Sequence, residues 1–380
     1  MTVHLRDLTA LMDRWYPPAL ASDWDAVGLV CGDPEQPVHR VMLAVDPAPA
    51  VVEEALAWEA DLLVVHHPLL LKGVHSVAAT SPKGRVLHRL IRGGCALFTA
   101  HTNADAPAQG VNESLAFALG IGAPEVIVPD PADPLDKVVT FVPHENAEEV
   151  REAITRAGAG RIGDYDSCTF TSEGEGRFRP LDGAKPAIGR VGEIEVVAES
   201  RVEAVLPRGR RRHVLEALKA VHPYEEPAYD ILELADVPGT GNAARGTGRI
   251  GRLSRPTTLR SFAEHVQDVL PQTSHGVRVG GDPERVVETV AVTSGAGDFL
   301  LETVLGTEAD VYVTSDLRHH RASEFLEHGG PALVDIAHWA AEWTWLPVLE
   351  RTLVESVGAE GDTVETRVST TCTDPWTFRP

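Results

Sequence analysis

The sequence predicts an α/β protein in which two related halves form one domain, with a ferredoxin-like α+β domain inserted between them. Short apolar runs alternate with helix-like segments in the first third, residues 41–67 are laid out like residues 290–316, and a proline- and aspartate-rich stretch at 130–137 introduces a different pattern. The predicted boundaries are 1–135 and 237–380 for the two halves and 136–236 for the inserted domain.

The first third contains strand and helix patterns in strict alternation. Such alternation is typical of a parallel sheet, whose ligands bind beyond the carboxyl ends of the strands. His66, His67 and His101 fall at those ends. The predicted strands are VMLAVD (41–46), DLLVV (61–65) and CALFTAH (95–101), and the predicted helices are 1–16, 47–60, 81–94 and 110–120.

The middle part follows the order β-α-β-β-α-β, which is typical of a ferredoxin-like domain. A glycine-rich stretch, VPGTGNAARGTGRIG (237–251), is predicted to be the linker that follows it. The segments, in order, are KVVTFVP (137–143), NAEEVREAITRAGA (146–159), DSCTFTSEGEGRFRP (166–180), IEVVAESRVEAVLP (194–207), RRHVLEALKAV (211–221) and PAYDILEL (227–234).

The last third repeats the layout of the first. Both 41–67 and 290–316 run strand, turn, helix, Glu-Ala-Asp, strand, and ALFTAH (96–101) corresponds to VDIAH (334–338). A pseudo-symmetric pair of halves would bring its strand ends to one shared cleft, where residues distant in sequence meet.

Composition restricts the function classes. The chain has 380 residues, of which 43% are hydrophobic and 24% charged, which suits a soluble protein of more than one domain. No apolar run is long enough for a membrane span, and the charged N-terminal stretch lacks the apolar centre of a signal peptide, so a cytoplasmic location is expected. A net charge of −22 makes nucleic acid an unfavourable partner.

The cysteines exclude a thiolate metal site. The four cysteines are scattered and form no C-x-x-C pair. Any bound metal must therefore use His, Asp and Glu, which suits ions such as zinc, iron or manganese.

Candidate ligands follow four predicted strands, in VVHHP (64–68), AHTNAD (100–105), TSDLRHH (314–320) and IAHWAAE (336–342). On a helix, His338 and Glu342 would share one face and could hold one ion or two neighbouring ions, although a pair of surface residues has the same spacing. Asp105 could bridge two ions, or it could cap the helix that follows.

The adjacent histidines favour two ions over one. A strand would point His66 and His67 to opposite faces, but Pro68 redirects the backbone, so that both rings could reach the cleft. Adjacent rings suit two ions better than one tetrahedral ion, and two ions about 3.5–4 Å apart are typical of hydrolytic dinuclear sites.

Together, DWDAVGLVCGD (23–33), DLLVVHHPLL (61–70), AHTNADAPAQGVNESLAFALG (100–120), SDLRHHRA (315–322) and DIAHWAAEW (335–343) resemble the Nif-three-like family, or GTP cyclohydrolase I type 2 homologues. HPYEEPAYDI (222–231) resembles the family's variant with an inserted PII/CutA-like domain. The resemblance implies a homohexamer and two divalent metal ions per subunit. The implied ligands are His66, His67, Asp105, His338 and Glu342.

The sequence departs from the family's pattern beside the ligands. Ala337 and Trp339 flank His338 where the family usually has Gly and Tyr, and Ser315 precedes Asp316 where Gly is common. Neither departure removes a ligand.

Other histidines are candidates for supporting roles beside the metal ligands. His101 and His320, with His319, could shuttle protons or orient a ligand, or they could be ordinary hydrogen-bonded histidines near a cleft. HPYEEP (222–227) is interpreted as a loop with a structural or intersubunit role.

Two function classes remain open. The first is a metal-dependent hydrolase of the GTP cyclohydrolase type, or one acting on another nucleotide or phosphoester, with a metal-activated water as nucleophile. The second is a non-enzymatic, hexameric metal-handling or regulatory protein.

Overall fold

The structure is a computed structural model that describes residues 3–131, 134–235 and 242–380. It divides into two compact units, one formed by Met1–Asp130 with Ala243–Pro380 and the other by Pro131–Asn242. Among the helices of the described residues, none combines the length and the apolar composition that crossing a bilayer requires.

The elements are numbered in chain order. The helices are α1 (Leu5–Trp15), α2 (Pro49–Ala57), α3 (Pro82–Arg92), α4 (Thr102–Asp105), α5 (Val111–Ala118), α6 (Ala147–Arg156), α7 (Arg211–Val221), α8 (Leu259–Val269), α9 (Leu301–Leu305), α10 (His319–Glu327), α11 (His338–Trp343) and α12 (Leu346–Ala359). The strands are β1 (Gly28–Cys31), β2 (Arg40–Ala44), β3 (Leu62–Val65), β4 (Ala96–Thr99), β5 (Ile121–Asp130), β6 (Leu135–Pro143), β7 (Thr169–Phe178), β8 (Glu195–Pro207), β9 (Tyr229–Glu233), β10 (Asn242–Thr258), β11 (Arg278–Gly280), β12 (Val286–Ala296), β13 (Val311–Ser315), β14 (Ala332–Ile336) and β15 (Glu365–Val368).

The first unit contains two sheets with the same central layout. One has the order β1-β4-β3-β2-β15, and the other has the order β11-β14-β13-β12-β10-β5. In each sheet three neighbouring strands are parallel, β2, β3 and β4 or β12, β13 and β14, and a short antiparallel strand lies at the edge. The fold class is therefore α/β with two related halves, as the sequence predicts.

The central strands are mostly apolar because both of their faces are covered. One cluster of buried side chains includes Val41 and Val64 from the first sheet and Val290 and Val313 from the second. The opposite face of the first sheet packs under α2 and α3, where Leu63 belongs to a second cluster. The sheets therefore share a core, and their parallel strands carry the candidate residues at their carboxyl ends.

Local sequence explains the helix boundaries, as α3 illustrates. The Ser81 hydroxyl oxygen accepts a hydrogen bond of 3.1 Å from the Gly84 amide. Pro82 occupies the first turn of the helix, where no amide donor is needed. The helix ends before Gly94, whose φ of 71° lies in the left-handed region that glycine adopts without strain.

The second unit has the predicted β-α-β-β-α-β order, from β6 to β9. Its sheet is antiparallel, with the strand order β7-β8-β6-β9. Val138 and Val202 pack with Val150 of α6 and Val214 of α7 in a single buried cluster. Both helices therefore cover one face of this sheet.

The predicted linker at 237–251 is wrong over its second part. Residues 242–251 belong to β10, in which Arg249 pairs with Val292 of β12. Glycine suggests flexible chain, but Gly246 and Gly248 allow β10 to pass closely by Val128 and Thr293, so tertiary pairing decides its conformation. The start of that linker and the predicted boundary at 236/237 lie outside the described residues.

Candidate metal centre

The two adjacent histidines follow the end of β3. The His66 and His67 amides both donate to the Val45 carbonyl, at 3.1 and 2.9 Å, which fixes the backbone where the strand ends. Their ring centroids are 5.2 Å apart, and His66 is almost completely buried. As Pro68 predicts, the chain leaves the strand geometry here, and both rings enter one cluster.

The second half supplies its residues from the short helix after β14. His338 and Glu342 stand one turn apart on α11, with His338 Nε2 at 2.8 Å from Glu342 Oε1. The other oxygen of this buried carboxylate lies 3.0 Å from His67 Nε2, and Oε1 lies 3.5 Å from His66 Nε2. Glu342 therefore lies among three imidazoles that come from both halves.

Asp105 ends the short helix α4 beside the same cluster. Its Oδ1 lies 3.7 Å from His66 Nε2. The following helix, α5, has Gly110 as its N-cap residue, so Asp105 does not cap it. The sequence left both roles open for this carboxylate, and the structure places it next to the candidate ligands.

Buried Arg249 fixes the chain directly after Asp105. Its guanidinium donates to the carbonyls of Ala106 and Pro107 at 2.8 and 2.9 Å. It also donates to the carbonyls of Gly246 and Gly248, both at 2.8 Å. Five donors in a rigid plane suit this task, because one side chain can satisfy four carbonyls at once. No motif or spacing in the sequence indicates this role.

Four imidazoles in the cluster are oriented in the same way. In each, Nδ1 faces an oxygen acceptor, so the neutral ring carries its hydrogen there and directs the Nε2 lone pair into the cluster. The pairs are His66 with Ala100 O at 2.8 Å, His67 with Asp46 at 2.7 Å, His101 with Asp25 at 2.8 Å and His338 with Asp316 at 2.6 Å.

The electrostatics of the cluster favour a bound cation. Burial opposes ionisation of Glu342, yet His67, His338 and His66 hold the pKa of its carboxyl well below the usual range. Burial lowers the pKa of His338, but Glu342 and Asp316 outweigh it and raise the pKa to about 10. A metal ion would take over the positive charge that protonated imidazoles otherwise supply.

The donor set fits a metal. Asp105 Oδ1 and Glu342 Oε2 are buried, and no hydrogen bond satisfies either oxygen. Two groups of ligand atoms, each within 4.8 Å of one another, share His67: one with His66 and His101, the other with His338 and Glu342. Unsatisfied buried carboxylate oxygens beside imidazole nitrogens are the environment that a divalent ion stabilises.

Of the histidines predicted for supporting roles, the structure brings His101 into the cluster. The His101 ring lies 5.1 Å from that of His66, and its Nδ1 partner is Asp25. His320 is exposed on α10, and its ring contacts His319. Asp25 was not predicted as a site residue. It belongs to the DWDAVGLVCGD motif (23–33), which does not follow any of the strands that were predicted to carry ligands.

A pocket of about 190 Å³ opens beside the cluster. His67 and His338 line it together with residues of the C-terminal segment, including Thr373, Asp374 and Trp376. The Thr373 hydroxyl donates to Asp46, the partner of His67. This segment lacks any periodic pattern, so its place in the site was not predictable from the sequence.

Comparisons with known proteins agree with this architecture. The family described as Duf34/NIF3 (NGG1p interacting factor 3) matches residues 3–375. A Mycobacterium tuberculosis protein named GTP cyclohydrolase 1 type 2 homolog is 51% identical over 377 residues, which cover 99% of this chain and 97% of the relative. A Bacillus subtilis protein of the same name is 39% identical over 377 residues, covering 99% of each.

Solved structures show the same similarity. A Bacillus cereus protein related to NIF3 superposes with a TM-score of 0.83 at 36% identity and covers 100% of both chains. A Staphylococcus aureus protein superposes with a TM-score of 0.80 at 28% identity, covering 100% of this chain and 99% of that one. From the match over almost its whole length, the chain belongs to the Duf34/NIF3 family.

Proposed function

We propose that the chain is a metal-dependent hydrolase with two divalent ions in the cluster at the strand ends. The single observation that supports this most is the position of Glu342. Its carboxylate lies within 2.8–3.5 Å of three imidazole nitrogens, and one of its oxygens has no hydrogen bond.

The ligand assignment follows the two halves. His66 from the first half and His338 from the second would each hold one ion, with His67 near both. Asp105 and Glu342 would help to hold the ions, because each has a buried carboxylate oxygen that no hydrogen bond satisfies. Zinc, iron and manganese all suit three imidazoles and two carboxylates.

When bound, such ions supply Lewis acidity and a water nucleophile at neutral pH. The residues of this chain orient that chemistry. Asp25 fixes the His101 tautomer, so that Nε2 can receive a proton from the reacting water and return it to the leaving group. His320 would serve the reaction only as a more distant proton carrier, since it lies exposed on α10.

The substrate class we propose is a nucleotide or another phosphoester. The names of the relatives support it, since they are GTP cyclohydrolase 1 type 2 homologs. The pocket beside the cluster supplies an indole surface at Trp376 on which a base can stack, next to the candidate ligands His67 and His338.

The test is to purify the protein without added metal, measure bound zinc, iron and manganese, and assay GTP and a panel of phosphoesters by product detection. We expect turnover that Glu342→Ala and His67→Ala abolish and that His88→Ala, an exposed histidine on α3, retains. Stoichiometric metal without turnover of any substrate would contradict the hydrolase.

That same outcome would support a metal-handling or regulatory protein instead. The burial of His66 and Glu342 favours this second candidate, because buried ligands release ions slowly. In either case we propose a homohexamer, which analytical ultracentrifugation of the full chain tests directly.

A further inference from the structure

A cavity of about 520 Å³ lies within the second unit, which supplies all of its lining residues. Its size falls in the range of small-molecule sites. Phe141, Glu199 and Arg201 line it from β6 and β8, at positions that alternate with Val138 and Val202, which pack under the helices. The cavity therefore lies on the sheet face that the two helices leave uncovered.

Two glycines of β7 keep this face open. Gly174 lies opposite Glu199 across the strand pair, and a Cβ atom built on Gly174 would meet nothing within 4 Å. A Cβ atom on Gly176 would lie 2.1 Å from Glu199 Oε2. Gly176 therefore makes room for the Glu199 carboxylate against the backbone of β7, and Gly174 leaves space open beside it.

Glu199 is a buried carboxylate that lacks a cationic partner. It is 7% exposed, and the Tyr224 hydroxyl donates to its Oε1 at 2.7 Å. Within the described ranges, no lysine or arginine forms an ion pair with Glu199, and nothing donates to Oε2. A buried charge with one neutral donor is unfavourable unless a cation completes the site.

The HPYEEP loop positions Tyr224 for this contact. The Tyr224 amide donates to His222 Nδ1 at 3.2 Å, so the ring hydrogen is on Nε2, which donates to the Phe141 carbonyl at 3.0 Å. Burial and the Glu199 carboxylate raise the pKa of Tyr224, which keeps its hydroxyl a donor. The motif thus supplies one wall of the cavity as well as a loop.

The remaining walls combine aromatic surface with an excess of acid. The rings of Phe178 and Tyr224 are 5.6 Å apart, and both line the cavity. One of the basic lining residues, Arg201, is already paired with Glu203 at 2.7 Å. Glutamates outnumber arginines among the lining residues, which include Glu173, Glu175, Glu199, Glu225 and Glu226 against Arg177, Arg179 and Arg201.

We propose that this cavity binds an organic cation, namely a primary amine or guanidinium group carried on an apolar or aromatic body. The cationic group forms a charge-assisted hydrogen bond with Glu199 Oε2. The body packs against Phe178 and Tyr224, whose ring faces attract the adjacent positive charge. An anionic ligand would bring its charge against the buried carboxylate.

The experiment is isothermal titration calorimetry of the full chain with probes that differ in charge but share one aromatic body. Tyramine is the cation, 4-ethylphenol is the neutral probe, and 3-(4-hydroxyphenyl)propionate is the anion. Agmatine, an aliphatic chain with an ammonium and a guanidinium, is a second cation without the aromatic body. We expect a submillimolar Kd for a cation and at least about tenfold weaker binding of the neutral and anionic probes.

Three variants test the assignment. Glu199→Gln keeps the size and the acceptor for Tyr224, and it should weaken cation binding at least about tenfold. Gly174→Leu keeps the charge and fills open space, so it should block every probe. Glu216→Gln removes the same charge from an exposed position on α7 and should bind like the wild type.

The proposal is overturned if neither cation binds the wild type, if the propionate binds as tightly as tyramine, or if Glu199→Gln retains full affinity. Circular dichroism melting establishes that each variant is folded. If Glu199→Gln fails to fold, Gly174→Leu decides the question, and unchanged tyramine affinity in that variant overturns the proposal.

Discussion

His67 Nε2 lies 3.0 Å from Glu342 Oε2, joining the end of β3 in the first half to α11 in the second. Because Asp46 accepts the hydrogen on Nδ1, the neutral His67 ring turns a lone pair toward a carboxylate oxygen that no hydrogen bond satisfies. Either a proton on Nε2, which makes the imidazole cationic, or a metal ion must separate these two acceptors, and despite burial Glu342 and Asp46 raise the pKa of His67 well above its usual range.

Glu342→Gln should lower metal affinity by more than about 100-fold, because even partners of metal ligands contribute tenfold or more. The substitution keeps the size of the side chain but removes the charge that balances His67 and His338. Metal bound after dialysis, measured by mass spectrometry, checks it. Glu355→Gln on α12 is the exposed control, and equal metal content in both variants would contradict the ligand role.

Asp316→Asn should weaken metal binding by about 10–100-fold while the protein stays folded. Asp316 accepts from His338 Nδ1 at 2.6 Å, and the amide cannot stabilise that tautomer equally well. Competition with a fluorescent chelator gives the affinity. The control is Asp268→Asn, at an exposed position on α8, which should bind metal like the wild type. Wild-type affinity in Asp316→Asn would show that Asp316 does not orient His338.

Arg249→Lys should reduce the free energy of unfolding by about 3 kcal/mol, because one ammonium cannot satisfy the four buried carbonyls that the guanidinium serves. Urea denaturation measures the change. The matched control is Arg252→Lys, whose side chain is 66% exposed in a surface pair with Glu288, and it should change stability by less than about 0.5 kcal/mol.

Arg249→Lys should also lower metal affinity, since its contacts with Ala106 and Pro107 hold the chain next to Asp105. A destabilised variant with unchanged metal affinity would show that this arginine serves the fold alone.

Thiol reactivity should distinguish Cys95 from Cys372. Burial raises the pKa of Cys95 to about 12, so this thiol is almost entirely protonated at about pH 8 and inaccessible as well. Cys372 is exposed. Alkylation of the native protein followed by peptide mapping should label Cys372 and spare Cys95 until urea unfolds the chain. Rapid native labelling of Cys95 would contradict the packing of β4.

Most of the fold was predictable because its signals are local. The periodicity of apolar residues predicted β2, β3 and β4 and the helices between them, and the repeated layout at 290–316 predicted the second half. The strand β10 was not predicted, because its conformation depends on pairing with a strand that is distant in sequence. β10 was interpreted as a linker because glycine is common in it, whereas pairing with β12 makes it a strand.

The sequence by itself determined which residues follow the strands, since a strand end is encoded by the apolar run before it and by breakers such as Pro68. It also determined that His338 and Glu342 share a helix face, because that spacing is a property of the helix.

Only the tertiary structure decided which of these residues meet. The acceptor Asp25, the anchor Arg249 and the C-terminal segment at Thr373 reach the cluster from separate parts of the chain. The physical reason is that hydrogen bonds and buried charges depend on distances in space, and no local periodicity in the sequence specifies which distant groups packing will bring together.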